Sequence, residues 1–206
     1  MAENWNPELM PKVIALVSGI LQRVAETNDL NGRFRPQRIS VFHGLIRPTI
    51  SIESYLERIF KYANCSPSCL IVAYIYLDRF SQKQPFLPIC SLNVHRLLIT
   101  SVLVSAKFMD DIFYNNAFYA KVGGISTVEM NLLEVDFLFG LGFELNVTPT
   151  TFYTYCACIQ KEILNDYPPL FRVQSSTTSN INGRPLNLHC CINEDESQHQ
   201  QHQLTV

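Results

Sequence analysis

The sequence predicts an all-α protein. One central helix is wrapped by four others, and one flanking helix lies on each side of this five-helix unit. Three observations carry the prediction. Glycine is scarce, at 8 of 206 residues, and strand-like alternation is nearly absent. Apolar residues instead recur at helical spacing between recognisable start and stop signals. Two of the segments are apolar on most sides, which a wrapped helix requires, whereas a four-helix bundle requires only stripes.

The first helix is expected from about Pro7 to Thr27, with Val13, Val17, Ile20, Leu21 and Val24 in one stripe and Asn31-Gly32 ending it. The loop "RFRPQRISVFHGLIRP" comes next. It carries Arg33, Arg35, Arg38 and Arg47 and no acid, and reads either as a solvated linker or as a contact for phosphate or an acidic surface. "SIESYLERIFKYAN" gives a second helix, with Ile52, Tyr55, Leu56, Ile59, Phe60 and Tyr62. "SPSCLIVAYIYLDRF" gives a third, with Ser66 as N-cap and Pro67 at the first helical position. Its apolar residues face nearly every direction, so it is expected to be central. A similar helix runs from about Leu92 to Met109. "NNAFYAKVGG" gives a short fifth helix, stopped by Gly123-Gly124. "STVEMNLLEVDFLFGLGF" opens with the capping-box pair Ser126 and Glu129 and runs to Gly142. "TPTTFYTYCACIQKEILND" repeats the start signal with Thr148 and Pro149. Past Pro168-Pro169 the polar stretches "SSTTSNINGRP" and "NEDESQHQQHQ" are expected to be disordered.

Composition narrows the function. Hydrophobic residues make up 47% of the chain, enough for a sizeable core. A net charge of -2 argues against a dedicated nucleic-acid binder, which carries a strongly basic balance. The seven cysteines are odd in number and scattered; Cys65, Cys69, Cys156 and Cys158 lie in apolar helical stretches. That pattern fits reduced thiols of the cytosol or nucleus. The apolar run after Arg96 stops at Lys107, too short to cross a bilayer. "KVIALVSGIL" is preceded by Glu3 and Glu8 where a secretory leader would be basic, so it reads as amphipathic helix. No dinucleotide, phosphate-loop or zinc-protease motif is present. Cys156 and Cys158 have the wrong spacing for a redox pair, and His43 and His95 have no evident partner. His189-Cys190-Cys191 is at best a weak metal ligand set within the polar tail. No cofactor is expected.

One constellation stands out. "LLITSVLVSAKFMDD" runs almost without charge to Lys107, and then shows Asp110 and Asp111. Glu134, in "MNLLEVDFLFG", has Met130 and Leu138 one turn away and Phe137 beside it. A carboxylate on such a face loses hydration and needs a donor. Lys107 is the natural one. The residues alone leave two readings: a helix end tidied by charge, or a surface built to meet another protein.

These same segments resemble the cyclins. "YIYLDRF", Tyr74 to Phe80, is similar to the second cyclin-box helix, and "SAKFMDD" to the end of the third. "LLEVDFLFGLGFEL", Leu132 to Leu145, is similar to the fifth helix running into its succeeding segment. "TISIESYLERIFKYANCSPSC", Thr49 to Cys69, resembles the opening of the small single-box plant cyclins called P- or U-type, kin to the fungal cyclins of phosphate signalling. The resemblance covers about Phe42 to Asp166.

It implies a five-helix cyclin box and a regulatory, non-catalytic role. The implied activity is to bind a cyclin-dependent protein kinase and stabilise the active position of its PSTAIRE-type helix. Lys107 and Glu134 would face the kinase, Phe108 and Asp110 would flank the lysine, and Phe143 and Leu145 would supply apolar contact. The implied organisation is an N-terminal helix at 1–32, a basic linker at 33–48, the box and one further helix at 49–167, and a polar tail at 168–206. Nucleus and cytoplasm are the expected locations, with no membrane partner. The "MRAIL"-like docking patch of larger cyclins is absent from "SIESYLERIFKY", and no second five-helix repeat is present. A cyclin-fold nucleic-acid-binding or transcription adaptor is the alternative, and a nucleic-acid partner is not expected on charge.

Overall fold

The computed structural model describes residues 10–32, 39–63 and 66–164. Among them lie seven helices and no strand: α1 (Met10–Gly32), α2 (Ile52–Ala63), α3 (Pro67–Lys83), α4 (Val94–Met109), α5 (Asn116–Gly123), α6 (Thr127–Leu141) and α7 (Pro149–Leu164). The polar tail, Arg33, Arg35, Arg38, Cys65 and His189-Cys190-Cys191 lie outside the described residues.

The centre is α4. It packs against α2, α3, α5 and α6, and every residue from Leu97 to Ala106 is buried. The hydroxyls of Thr100, Ser101 and Ser105 enter this interior by bonding back to Arg96, Leu98 and Val102 carbonyls of their own helix. α3 is buried continuously from Cys69 to Asp78, between α4 on one side and α7 on the other. The wrapped-helix expectation thus holds for both apolar segments, with α4 as the hub.

Start signals work largely as expected. Ser66 accepts from the Cys69 amide, Ser126 from Glu129 and Thr148 from Thr151; Asn115 caps α5 by accepting from Phe118. The Ser126/Glu129 capping box forms only in half. The Glu129 carboxylate turns away from its own helix start and pairs with Arg96 of α4. A charge-assisted bond to a guanidinium outweighs one to a backbone amide.

α1 outruns its expected end near Thr27 and continues to Gly32. The extra turn has tertiary partners. Asn28 donates to the Ile89 carbonyl at 2.9 Å, and Asp29 accepts from the Ser91 amide at 3.1 Å. The stripe of Val13, Val17, Ile20, Leu21 and Val24 is buried, and α1 packs on α2 and α7.

The segment before α2 does more than link. Phe42 is 2% exposed and wedges between α3 and α6, edge-on to Phe80 at 5.4 Å and to Phe137 at 6.3 Å. Phe80 and Phe137 stack on each other at 4.9 Å. Gly140 makes that stack possible, since a Cβ there would sit 2.2 Å from the Phe80 ring. At the other side of the core, Tyr155 of α7 donates to the buried Asp78 carboxylate at 2.5 Å, and Gln82 donates to the same oxygen at 2.9 Å. Burial first, and then the Asp78 charge, raise the Tyr155 phenol well above its ordinary range.

Cys69, Cys90, Cys156 and Cys158 are thiols, with no disulfide among the described residues. Burial pushes Cys156 up to about 11, so its reactive thiolate is scarce at neutral pH. No helix among the described residues is long and apolar enough to cross a membrane.

His43 and His95 have partners that the sequence does not reveal. His43 accepts from the Ser40 amide, and His95 Nε2 meets the Ile50 carbonyl at 3.0 Å with its ring edge-on to Tyr55. Burial chiefly holds both below the ordinary value of 6.5, against the pull of their backbone bonds.

Two outcomes are expected. Val17→Asp with Leu21→Asp places two carboxylates on a face that is 0% exposed at both positions. The loss should exceed about 4 kcal/mol, read as collapse of the thermal transition. The second concerns acid. A depressed histidine pKa means that the unfolded chain takes up the proton first. Stability from His43 and His95 is therefore complete above about pH 6.5 and drains as pH falls from there toward their lowered folded values. Urea midpoints should drop over that window, and His95→Gln should make the drop shallower.

Candidate partner-binding site

The site forms where α4 leaves the core. Lys107 stands on the last turn of α4, just after the buried run, with its side chain 30% exposed. Its ammonium donates to Glu134 Oε1 of α6 at 2.6 Å, and the Glu134 side chain is only 16% exposed. Asn116, in the first turn of α5, donates to the other carboxylate oxygen at 2.6 Å and also contacts Asn131 Oδ1 at 2.8 Å. One carboxylate is thus clamped from two sides, and three helices are pinned at one point.

Asp110 is the C-cap of α4. Its carboxylate accepts from the Ser66 amide at 3.2 Å and from the Ser66 hydroxyl at 2.8 Å. It therefore ties the end of α4 to the start of α3, an intramolecular task beside the one implied by the resemblance. Around the clamp lies an apolar surface. Phe108, Met109, Ile112, Phe113 and Tyr114 are all more than 40% exposed. Tyr114 stacks on Phe118 with centroids 4.0 Å apart.

The far edge of the site is the end of α6. Gly142 adopts φ +62°, its amide bonding to Phe139 O, while the Phe143 amide reaches back to Leu138 O, the two bonds of a Schellman ending. Phe143 is itself left-handed, at φ +58°. A bulky residue held there costs on the order of 1–3 kcal/mol, and such strain collects at functional surfaces. The turn is braced from α3. Lys83 donates to Leu141 O and pairs with Glu144, each at 2.8 Å, and Arg79 donates to the carbonyls of Glu144 and Asn146. The result presents Phe143 outward, 58% exposed and edge-on to Phe139 at 5.2 Å. Leu145 is half-buried, and its carbonyl accepts from the Tyr76 hydroxyl at 2.7 Å.

Of the six candidates, Lys107 and Glu134 are in contact, Phe108 and Phe143 face solvent, and Asp110 and Leu145 are engaged within the chain. Asn116 belongs to the same constellation, although nothing in "NNAFYAKVGG" marks it. No group of three or more potential metal ligands occurs among the described residues.

With this geometry in place, comparison with known proteins is informative. A family model described as "Cyclin" matches residues 11–145. Cyclin-U4-1 of Arabidopsis thaliana is 62% identical over 205 residues, covering 98% of this chain and 97% of that protein. Cyclin-U4-2 of the same plant is 67% identical over 167 residues, 79% of this chain and 77% of its own. Cyclin-P4-1 of Oryza sativa subsp. japonica is 52% identical over 195 residues, 92% of this chain and 86% of its own. The chain belongs to the cyclin family, and these relatives are plant U-type and P-type cyclins. The family match begins within α1, well before the Phe42 at which the sequence resemblance becomes visible.

The clamp makes a testable demand. Asn116→Ala removes one donor from Glu134 and should cost about 1–2 kcal/mol in chemical denaturation. Asn116→Asp should cost more at neutral pH, because it sets two carboxylates against each other, and should recover part of that loss as acid lets the pair share a proton.

Proposed function

We propose that this cyclin is a regulatory subunit that binds a cyclin-dependent protein kinase and activates it, holding the kinase's PSTAIRE-type helix in the active position. The observation that carries the reading is the Lys107–Glu134 pair, fixed by Asn116 at the meeting point of α4, α5 and α6 and surrounded by exposed aromatic and aliphatic side chains. The polar clamp offers hydrogen-bonding groups whose positions are already set. The apolar surround offers area to bury, and together they make a preorganised docking face.

The chemistry asked of such a face is conformational. A protein kinase orients ATP through a strand lysine that must pair with a glutamate of its mobile helix. A partner that binds the helix-in state better than the helix-out state shifts the population by its difference in affinity. In this reading the cyclin makes and breaks no bond. Its contribution is binding energy delivered by Lys107, Glu134, Phe108 and Phe143 at one place, in the nucleus and cytoplasm. Asp110 and Leu145 contribute by holding the edges of that place.

Affinity capture from the source cell, followed by a kinase assay on the eluate, tests the partner. Variants test the site. Lys107→Ala should cost stability about 1–2 kcal/mol, as for Asn116→Ala, because the part-buried Glu134 carboxylate loses one of its two donors and keeps the other. Its effect on kinase affinity should reach about 2 kcal/mol or more, because Glu134 would be left short of a donor under the partner. Wild-type affinity and activation by both Lys107→Ala and Glu134→Ala would reduce the pair to structural trim.

A further inference from the structure

The segment that leads into α2 holds its aliphatic side chains outward. Phe42 is buried, and His43 beside it is half-buried. Around them Ile39, Leu45 and Ile46 are 85%, 102% and 82% exposed, and Val41 is 42% exposed. Backbone bonds fix this loop. The His43 amide donates to the Ser40 carbonyl at 3.0 Å, and the Gly44 amide donates to the Leu92 carbonyl at 2.7 Å. Gly44 lies so close to the start of α4 that a Cβ there would stand 2.7 Å from Arg96 Nη1. Leu92, 36% exposed, therefore borders the same loop. An ordered turn that keeps Leu45 and Ile46 in water does not serve the core. Scattered exposed hydrophobics need no explanation, but several large ones on one fixed loop mark an interaction surface.

We propose that the loop from Ile39 to Arg47, together with Leu92, is a docking surface for an acidic protein segment that carries apolar anchors. The inference is independent of the kinase reading. Lys107 stands at the other end of α4, about 20 Å away at the rise of a helix, so a segment seated here leaves the clamp open. Charge chooses the occupant. Arg47 is exposed on this loop and makes no ion pair among the described residues. The sequence from Arg33 to Ile52 holds Arg33, Arg35, Arg38 and Arg47 and no acid. A second copy fits poorly, because a two-fold contact would set each Arg47 loop against its own counterpart. The aliphatic side chains are also few beside the roughly 20–30 residues a side that a stable interface uses. An anionic bilayer fits poorly as well, since the chain has a net charge of -2 and offers it only this local patch. A short segment needs no more than is present: apolar side chains against Leu45, Ile46 and Leu92, and carboxylates against arginine.

The test uses the full chain, immobilised and offered a displayed library of random peptides. Wild type, Leu45→Ser with Ile46→Ser, Arg47→Glu and Lys107→Ala are compared by selection, by titration of the enriched synthetic peptides, and by thermal melting. Wild type should enrich peptides in which Leu, Ile, Phe or Met stand beside Asp or Glu. The Ser pair should bind those peptides about tenfold or more weakly, as for loss of an apolar anchor. Arg47→Glu should weaken them roughly fivefold, and added salt should weaken wild type in the same sense. Lys107→Ala should bind them like wild type. The loop variants should melt like wild type, because the side chains they change are exposed. No enrichment, enriched peptides without carboxylates, equal binding by the Ser pair, or a lower melting temperature for that pair each overturn the proposal. Three further outcomes assign the surface to another occupant and overturn it too. Self-association that the Ser pair abolishes in sedimentation means a second copy. Binding to phosphatidylserine but not phosphatidylcholine vesicles, lost in the Ser pair, means a bilayer. Faster hydrogen exchange within residues 184–197 of the Ser pair means that this chain's own tail covers the loop.

Discussion

The constraint on which the molecule turns is the burial of α4 on all sides. A helix enclosed from Leu97 to Ala106 cannot carry a charge along that length, because an unpaired ion in the interior would cost more than the domain's net stability can absorb. Charge is admitted only where the helix emerges. Arg96 at its start and Lys107 at its end are those points, and each is met by a glutamate of α6, Glu129 and Glu134 respectively. The register of α6 on α4 is thereby fixed at two places. Glu129 is drawn out of its capping box for this purpose, so a local helix-start preference gives way to tertiary pairing.

The same constraint explains why the site sits at one end of the domain. α4 emerges from its wrapping beside the start of α5 and the start of α3, so Asn116 and Ser66 are both within reach of its last turn. Polar groups that would be isolated elsewhere find each other there. The apolar residues beyond it, from Phe108 to Tyr114, lie past the enclosed stretch and remain outside. Core and docking face are made of the same kind of side chain. What distinguishes them is whether four helices or open solvent surround α4 at that level.

Much of this is legible in the sequence, and the legible part has a common cause. Helix starts at Ser66, Ser126 and Thr148 are local events, decided by a side chain and an amide three residues on. The enclosed character of α3 and α4 is legible because apolar residues on every side leave few architectures open. Lys107 and Glu134 stand out because each breaks an apolar pattern. The features that escape the sequence are non-local. Asn116 looks like any helix-start asparagine until α6 is placed beside it. Asp110 reads as a surface charge until Ser66, 44 positions earlier, is brought to it. Phe42 sits in a segment dominated by arginines, and only the Phe80–Phe137 stack, to which it lies edge-on, reveals it as core. The true end of α1 is hidden for the same reason, since Asn28 and Asp29 are held by a loop some 60 residues distant.

The left-handed Phe143 shows how stability and presentation are traded at the edge of the site. A chain leaving α6 could place a residue in an extended conformation after Gly142 and avoid the strain. Instead Gly142 and Phe143 are both left-handed, and the Phe143 amide closes the Schellman bond to Leu138. The strain at Phe143 is opposed by contacts from another helix: Lys83 on Leu141 and Glu144, Arg79 on Glu144 and Asn146, and Tyr76 on Leu145. All three side chains belong to the last turns of α3, the helix that also carries Asp78, the anchor of α7. α3 therefore connects the C-terminal helix to the orientation of Phe143. A domain lacking α7 would lose the cover over Asp78 and loosen the part of α3 that braces the turn, so the helix after the box has a physical reason to be there even though it lies away from the clamp.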